Sequence, residues 1–255
     1  MSNDLVLSLS GNDIFSGGGL TADLATYTMN GLHGFVAVTC LTALTEKGFE
    51  VIATSSNVFK QQLDSLKDVP FSGIKIGLLP NPSIAKVALE FVKSHQNLPI
   101  VLDPVLVCKE KHDSSVVNLR DELLSFFPYV TIVTPNLIEA EILTGKSIET
   151  LDQMIQVSKE LYEKGASSVI IKGGNRFDKD KAVDVFYDGR DVVVLEKPIS
   201  LKNNVGAGCT FASSIISQLI KKHSCLESTR IAKEFVYQAI QSSHQYGVVQ
   251  NYEIK

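Results

Sequence analysis

Cys209 sits in the stretch Asn203-Asn204-Val205-Gly206-Ala207-Gly208-Cys209-Thr210, where two glycines lead into a run that reads as a helix over 209–220. A Gly-rich turn feeding a helix start aims unpaired backbone N–H groups and the positive end of the helix dipole at one point. Negative charge building on a transferring phosphoryl group would be stabilised there. Cys209, in the first turn, would have its thiolate favoured by the same field. Gly206, Ala207, Gly208 and Cys209 are therefore candidate catalytic residues, although the same pattern also serves a simple tight turn.

Other loops carry side chains suited to the same chemistry. Pro99-Ile100-Val101-Leu102-Asp103-Pro104 is an apolar strand with an acid at its carboxyl end, the end beyond which open α/β sheets bind ligands. Asn136 and Glu139 open a helix after the strand at 130–135. Their i, i+3 spacing places them on one face of its first turn, as a capping box or as oxygen ligands of a Mg²⁺–water cluster. Lys172 ends the strand at 168–172 and enters Gly173-Gly174, either to neutralise phosphate or as a surface lysine. Asp13 precedes Ser16-Gly17-Gly18-Gly19. That loop lacks both the G-x-G-x-x-G register and a Walker Lys-Ser/Thr, so it reads as a flexible loop over a small substrate. Asp13 would then bond a substrate hydroxyl or cap its own turn. Asp23, in the helix at 20–29, reads as a solvated or structural carboxylate. The polar segment 105–115, with Cys108, Lys109, Glu110 and His112, reads as a solvated loop or a mobile lid. His112 has no second ligand at helical spacing and is a poor metal candidate.

Positioning these groups requires a scaffold, and the chain supplies one. Apolar strands at 5–9, 34–40, 74–79, 99–104, 130–135 and 168–172 alternate with helical stretches at 20–29, 57–66, 82–94 and 151–164. This alternation predicts an α/β fold with a parallel sheet covered on both faces. Asp188-Gly189 joins strands at 183–187 and 191–195 as a hairpin, and a helix over 228–243 closes the chain. No linker or repeat interrupts residues 1–255, which are expected to form one domain. The 255 residues are 44% hydrophobic and 20% charged, with a net charge of −4, which argues against nucleic acid and acidic membrane surfaces. No apolar run approaches the roughly 20 residues of a membrane span. The N-terminus has Asp4 and no basic region of a secretory signal. Four scattered cysteines suit reduced thiols. A soluble cytoplasmic protein is expected.

Taken together, these loops resemble the hydroxymethylpyrimidine/pyridoxal kinase branch of the ribokinase-like superfamily. The matching pieces are Gly11-Asn12-Asp13 with Ser16 to Gly19 and Ala22-Asp23-Leu24; Lys75-Ile76-Gly77-Leu78-Leu79; Asp103-Pro104-Val105; Thr134-Pro135-Asn136-Leu137-Ile138-Glu139-Ala140; Ile171-Lys172-Gly173-Gly174; and Gly206-Ala207-Gly208-Cys209-Thr210. They cover nearly the whole chain in family order. The resemblance implies a ribokinase-like single domain with a small lid loop. Its activity would be transfer of the ATP γ-phosphoryl to a primary hydroxymethyl group on a small aromatic heterocycle. The 206–209 amides would form the anion hole, and Cys209 would stand in for the Asp base of typical ribokinases. Asn136 and Glu139 would organise Mg²⁺, with Asp103 nearby, and Lys172 would contact ATP phosphates. Asp13, Gly18, Leu44 and Cys108 would face the substrate. Pyrimidine kinases of the branch typically carry a Gln after the second strand, where this chain has Leu44. The Asp103–Lys109 segment resembles pyridoxal kinase lids whose Cys adds to the aldehyde. Cys108 and Leu44 together favour pyridoxal, with a pyrimidine of thiamine synthesis as the alternative substrate. A non-catalytic vitamer-binding protein is the alternative of another class. Val205 departs from the family's usual His, Ile14-Phe15 stand where smaller residues are common, and a homodimer is implied.

Overall fold

The computed structural model describes residues 4–106 and 114–251, with backbone alone at 114–118. Cys108, His112 and the rest of the expected lid at 107–113 lie outside the described residues. Short runs of apolar, often β-branched residues form β1 (Leu5–Asn12), β2 (His33–Thr45), β3 (Gly48–Ala53), β4 (Gly73–Ile76), β5 (Ile100–Leu102), β6 (Ile132–Val133), β7 (Val169–Lys172), β8 (Lys181–Tyr187) and β9 (Val192–Pro198). They join one sheet in the order β3-β2-β1-β4-β5-β6-β7-β8-β9. Pairing is parallel from β2 across to β7 and antiparallel at both margins, β2 with β3 and β7-β8-β9. The mostly parallel sheet expected from sequence is present.

The helices are α1 (Gly19–Met29), α2 (Ser56–Ser65), α3 (Pro82–Lys93), α4 (Ser114–Leu124), α5 (Leu137–Thr144), α6 (Leu151–Glu163), α7 (Ala207–Ile220) and α8 (Cys225–Gln241). Most starts follow capping chemistry. Asn81 caps α3, with Pro82 in the first turn. Ser55 caps α2 by accepting from the Val58 N–H, so the helix starts one residue before the expected 57. Ser224 caps α8, which starts at Cys225, three residues ahead of the expected 228. α4 and a 3₁₀ turn at Phe127–Tyr129 were not anticipated.

Strand alternation divides the core between two faces. Leu7, Leu9, Ile74, Ile76 and Leu102 pack with α2 to α6 on one side, and Val6, Val101 and Ile170 pack with α1, α7 and α8 on the other. Helices therefore cover both faces, as expected. The β2–β3 ribbon extends beyond this core, with Leu41, Leu44, Phe49 and Ile52 all exposed. Sequence reading placed Leu44 in a loop after the second strand. It lies instead in β2 itself, opposite Phe49. β3 escaped detection because a ribbon outside the core needs no regular apolar alternation.

Candidate active site

α7 begins at Gly206, whose φ of +85° is open to glycine alone without strain. The helix starts two residues before the expected 209, so Ala207, Gly208 and Cys209 occupy its first three positions. Their N–H groups have no intrahelical partners by geometry. No side chain caps them, and the Ala207 N–H turns back to Asn204 O at 3.0 Å. Gly206 is wedged against the first Gly-rich loop. A Cβ at Gly206 would meet Gly17 O at 1.6 Å, and one at Gly18 would lie 3.8 Å from Cys209 Sγ. The two loops interlock. The Gly19 N–H, at the start of α1, donates to Cys209 Sγ at 3.3 Å.

Lys172 leaves β7 beside this turn. Its Nζ lies 2.8 Å from Asp103 Oδ1, which also accepts from Thr134 Oγ1 at 2.8 Å. A side chain on Gly208 would begin 3.5 Å from Lys172 Nζ and 3.8 Å from Asp103 Oδ2. Gly208 thus admits close approach of a charged group to both. Lys172 is mostly buried, which excludes the surface-lysine reading. Burial opposes its charge, but Asp103 and Glu139 hold its ionisation above the ordinary lysine range. Lys172 and Gly208 line a cavity of about 380 Å³, with Asn136, Lys197, Pro198 and Tyr237 among its other walls. A larger cavity of about 560 Å³ lies between α2 and α3, lined by Leu63, Phe91 and His95, and includes none of these groups.

Asn136 and Glu139 form the reciprocal cap of α5. Asn136 Oδ1 accepts from the Glu139 N–H at 2.9 Å, and Glu139 Oε2 accepts from the Asn136 N–H at 2.8 Å. Burial pushes the Glu139 carboxyl up to about 7; Lys172 pulls it down and Asp103 pushes it back. The capping-box reading is realised, and it occupies Asn136 Oδ1. Among the described residues no group of three or more His, Cys, Asp or Glu could hold a metal alone. The oxygens of Asp103 and Glu139 suit a hard cation that keeps waters and arrives with phosphates. In that sense the donor set fits Mg²⁺.

On the substrate side, both Asp13 oxygens serve its own loop, from the Phe15 N–H at 3.0 Å and the Gly18 N–H at 2.8 Å. The turn-capping reading is therefore what the fold uses, with lone pairs left over for a substrate hydroxyl. Gly18 supplies room between the loops, since its amide is taken. Thr42 Oγ1 accepts from the Ile14 N–H at 2.9 Å, tying β2 to the same loop. Leu44 shares that face of the ribbon two residues on, but at 65% exposure it closes no pocket by itself.

One expectation needs correction. The helix terminus was expected to favour the Cys209 thiolate. Burial instead raises the thiol above its ordinary range, only partly offset by Lys75. For Asp23, of the two readings left open, the structural one holds: it is fully buried and bonded by Lys75 Nζ at 2.9 and 3.0 Å. This pair and the Gly19 amide escaped functional notice. The available signal was Lys75 itself, a charge inside the apolar strand Ile74-Lys75-Ile76 that must have a buried partner.

The chain is similar to known proteins. The family model described as phosphomethylpyrimidine kinase matches residues 13–253. A hydroxymethylpyrimidine/phosphomethylpyrimidine kinase of Aquifex aeolicus is 35% identical over 257 residues, covering 98% of each chain. A pyridoxine kinase of Bacillus subtilis is 34% identical, covering 95% of this chain and 92% of its own. The structure of pyridoxal kinase from Staphylococcus aureus in complex with AMP-PCP superposes with a TM-score of 0.92 at 31% identity, covering 100% of this chain and 97% of that one. The ribokinase-like fold expected from the loops is thereby established, and the chain belongs to the phosphomethylpyrimidine kinase family.

Proposed function

We propose that the chain is an ATP-dependent kinase that phosphorylates the 5′-hydroxymethyl group of pyridoxal to give pyridoxal 5′-phosphate. The observation that carries this reading is the meeting of Lys172 Nζ with the side-chain-free face of Gly208. A phosphate at the N-terminus of α7 would there touch the ammonium and the first-turn amides together. The cavity of about 380 Å³ beside it suits the nucleotide. The substrate hydroxyl oxygen would bond to the γ-phosphorus as the bond to the β–γ bridging oxygen breaks. Its proton would pass to Cys209 Sγ, and ADP would leave. Lys172 and the Gly208 and Cys209 amides would neutralise charge spreading over the phosphoryl oxygens. Asp103 and Glu139 would hold Mg²⁺, partly through water, and Mg²⁺ would supply further neutralisation of the phosphates. Support for pyridoxal comes from the likeness to the pyridoxal kinase above and from Leu44, which by the family resemblance stands where pyrimidine kinases typically carry a Gln. The same reading carries a cytoplasmic homodimer, checked by mass in solution.

The second reading, a hydroxymethylpyrimidine or phosphomethylpyrimidine kinase, is favoured by the family model and by the A. aeolicus relative. ATP consumption with Mg²⁺ and equal concentrations of pyridoxal, pyridoxine and hydroxymethylpyrimidine separates the two. Fast turnover of pyridoxal supports the first reading, and preference for the pyrimidine supports the second. Binding without turnover of any would overturn both in favour of a vitamer-binding protein.

A further inference from the structure

The face of the sheet beneath α1 and α7 carries a buried polar cluster among its apolar side chains. Ser8 on β1 and Lys75 on β4 are register partners there, and both are fully buried. Asp23 and Tyr27 descend from α1, and Ser213 from α7. Lys75 donates twice to Asp23, Ser213 Oγ donates to Asp23 Oδ1 at 2.6 Å, and Tyr27 and Ser8 hydroxyls meet at 2.6 Å. Asp23 lies four residues after Gly19 on α1, and Ser213 lies four residues after Cys209 on α7. Such i, i+4 pairs share a helix face. The two helices are therefore laced at successive turns, once through Gly19 N–H and Cys209 Sγ, once through Asp23 and Ser213. The ion pair is fixed one turn beneath the thiol.

Stability does not call for such a pair, since buried ion pairs can often be replaced by apolar side chains without loss. Its position beneath Cys209 offers another role. We propose that Lys75, anchored by Asp23 and Ser213, is a positioning residue whose ammonium stabilises the Cys209 thiolate and so readies it to take the substrate hydroxyl proton. This rests on the reading of Cys209 as the base. The charged groups facing Cys209 are Lys75 on β4, Asp23 on α1, Asp103 beyond β5 and Lys172 on β7, with Asp13 Oδ2 across Gly18. Lys75 is the strongest influence favouring the thiolate, ahead of the opposing Asp23 and Asp103. Burial opposes the charge on the lysine, and Asp23, together with Cys209, Tyr27 and Asp103, outweighs it, so the lysine stays charged.

The test is the pH dependence of Cys209 alkylation by iodoacetamide on the full chain without ATP, read by mass spectrometry of the Cys209 peptide. Three proteins are compared: wild type, Lys75→Met, and Lys75→Met combined with Asp23→Leu. In Lys75→Met the titration moves to higher pH and alkylation at pH 8 falls by about tenfold or more. In the double variant it moves the same way by less, because the opposing carboxylate is gone too. The double variant leaves no unpaired charge, and it decides the matter if the single variant fails to fold. A double variant that folds and titrates like wild type overturns the proposal. So does Lys75→Met titrating at lower pH than wild type. Alkylation needs no turnover, so failure here is distinguishable from failure of the kinase reading, which ATP consumption reports.

Discussion

A side chain on Gly206 would begin 1.6 Å from the carbonyl oxygen of Gly17, 189 residues earlier in the chain. The Gly206–Cys209 turn and the first Gly-rich loop are thus one interlocked unit. Gly206→Ala must both relax the left-handed backbone and push the loops apart. Left-handed strain alone costs about 1–3 kcal/mol, so the melting temperature is expected to fall by roughly 3–10 °C. Displacing the amides from the phosphoryl position should lower kcat by roughly 100-fold or more. Calorimetry and steady-state ATP consumption check the two separately.

The elevated Cys209 thiol sets a pH dependence. A base works only when deprotonated, so kcat/KM should rise with pH and keep rising past the ordinary thiol range, because burial holds the proton on. Cys209→Ala should lower kcat by about 10²–10⁴ while leaving ATP binding near wild type. Cys209→Asp, a carboxylate in the same place, should move the rising limb to lower pH. A pH–rate series on the three proteins is sufficient. A rising limb unchanged in Cys209→Asp would remove Cys209 from the proton-transfer step.

Lys172 and Asp103 make opposite contributions at one point. Lys172→Met removes the ammonium nearest the α7 amides and leaves Asp103 buried without its cation. We expect kcat to fall by roughly 10²–10³, the scale of losing one preorganised donor, with a smaller change in KM for ATP. Asp103→Asn keeps the shape and removes a hard anionic oxygen. It should raise the Mg²⁺ concentration needed for half-maximal turnover. Titrating Mg²⁺ at fixed ATP distinguishes the two variants.

What the sequence shows of this site follows from distance along the chain. Asp103, Asn136 with Glu139, Lys172 and the Gly206–Cys209 turn each sit where a strand ends or a helix begins, and such ends are written in a few adjacent residues. The partner of Lys75 lies 52 residues away, and the amide bonded to Cys209 lies 190 residues away. No local pattern joins them. The protonation of Cys209 was misjudged for the same reason: the helix field is local, whereas burial is created by α1, β4 and the first Gly-rich loop closing over the thiol. β3 was missed because solvent, not core, faces its ribbon, so its alternation is free to lapse.

The same exposed ribbon limits what Leu44 does for specificity. Were the side chain enclosed, replacing a hydrogen-bonding Gln by Leu would reject an aminopyrimidine by orders of magnitude. At 65% exposure, water competes for any bond made there. A hydrogen bond under those conditions contributes about 0.5–1.5 kcal/mol. Leu44→Gln is therefore expected to raise kcat/KM for hydroxymethylpyrimidine relative to pyridoxal by about tenfold at most, with little change in stability. Thr42, which ties β2 to Ile14, is the more enclosed member of the ribbon. Thr42→Val removes that tie and should weaken both substrates alike, raising KM without changing their ratio. Competition assays with the two substrates in one tube read the ratio directly. A shift of several hundredfold in Leu44→Gln would mean that the ribbon folds over the bound heterocycle and encloses Leu44 during turnover.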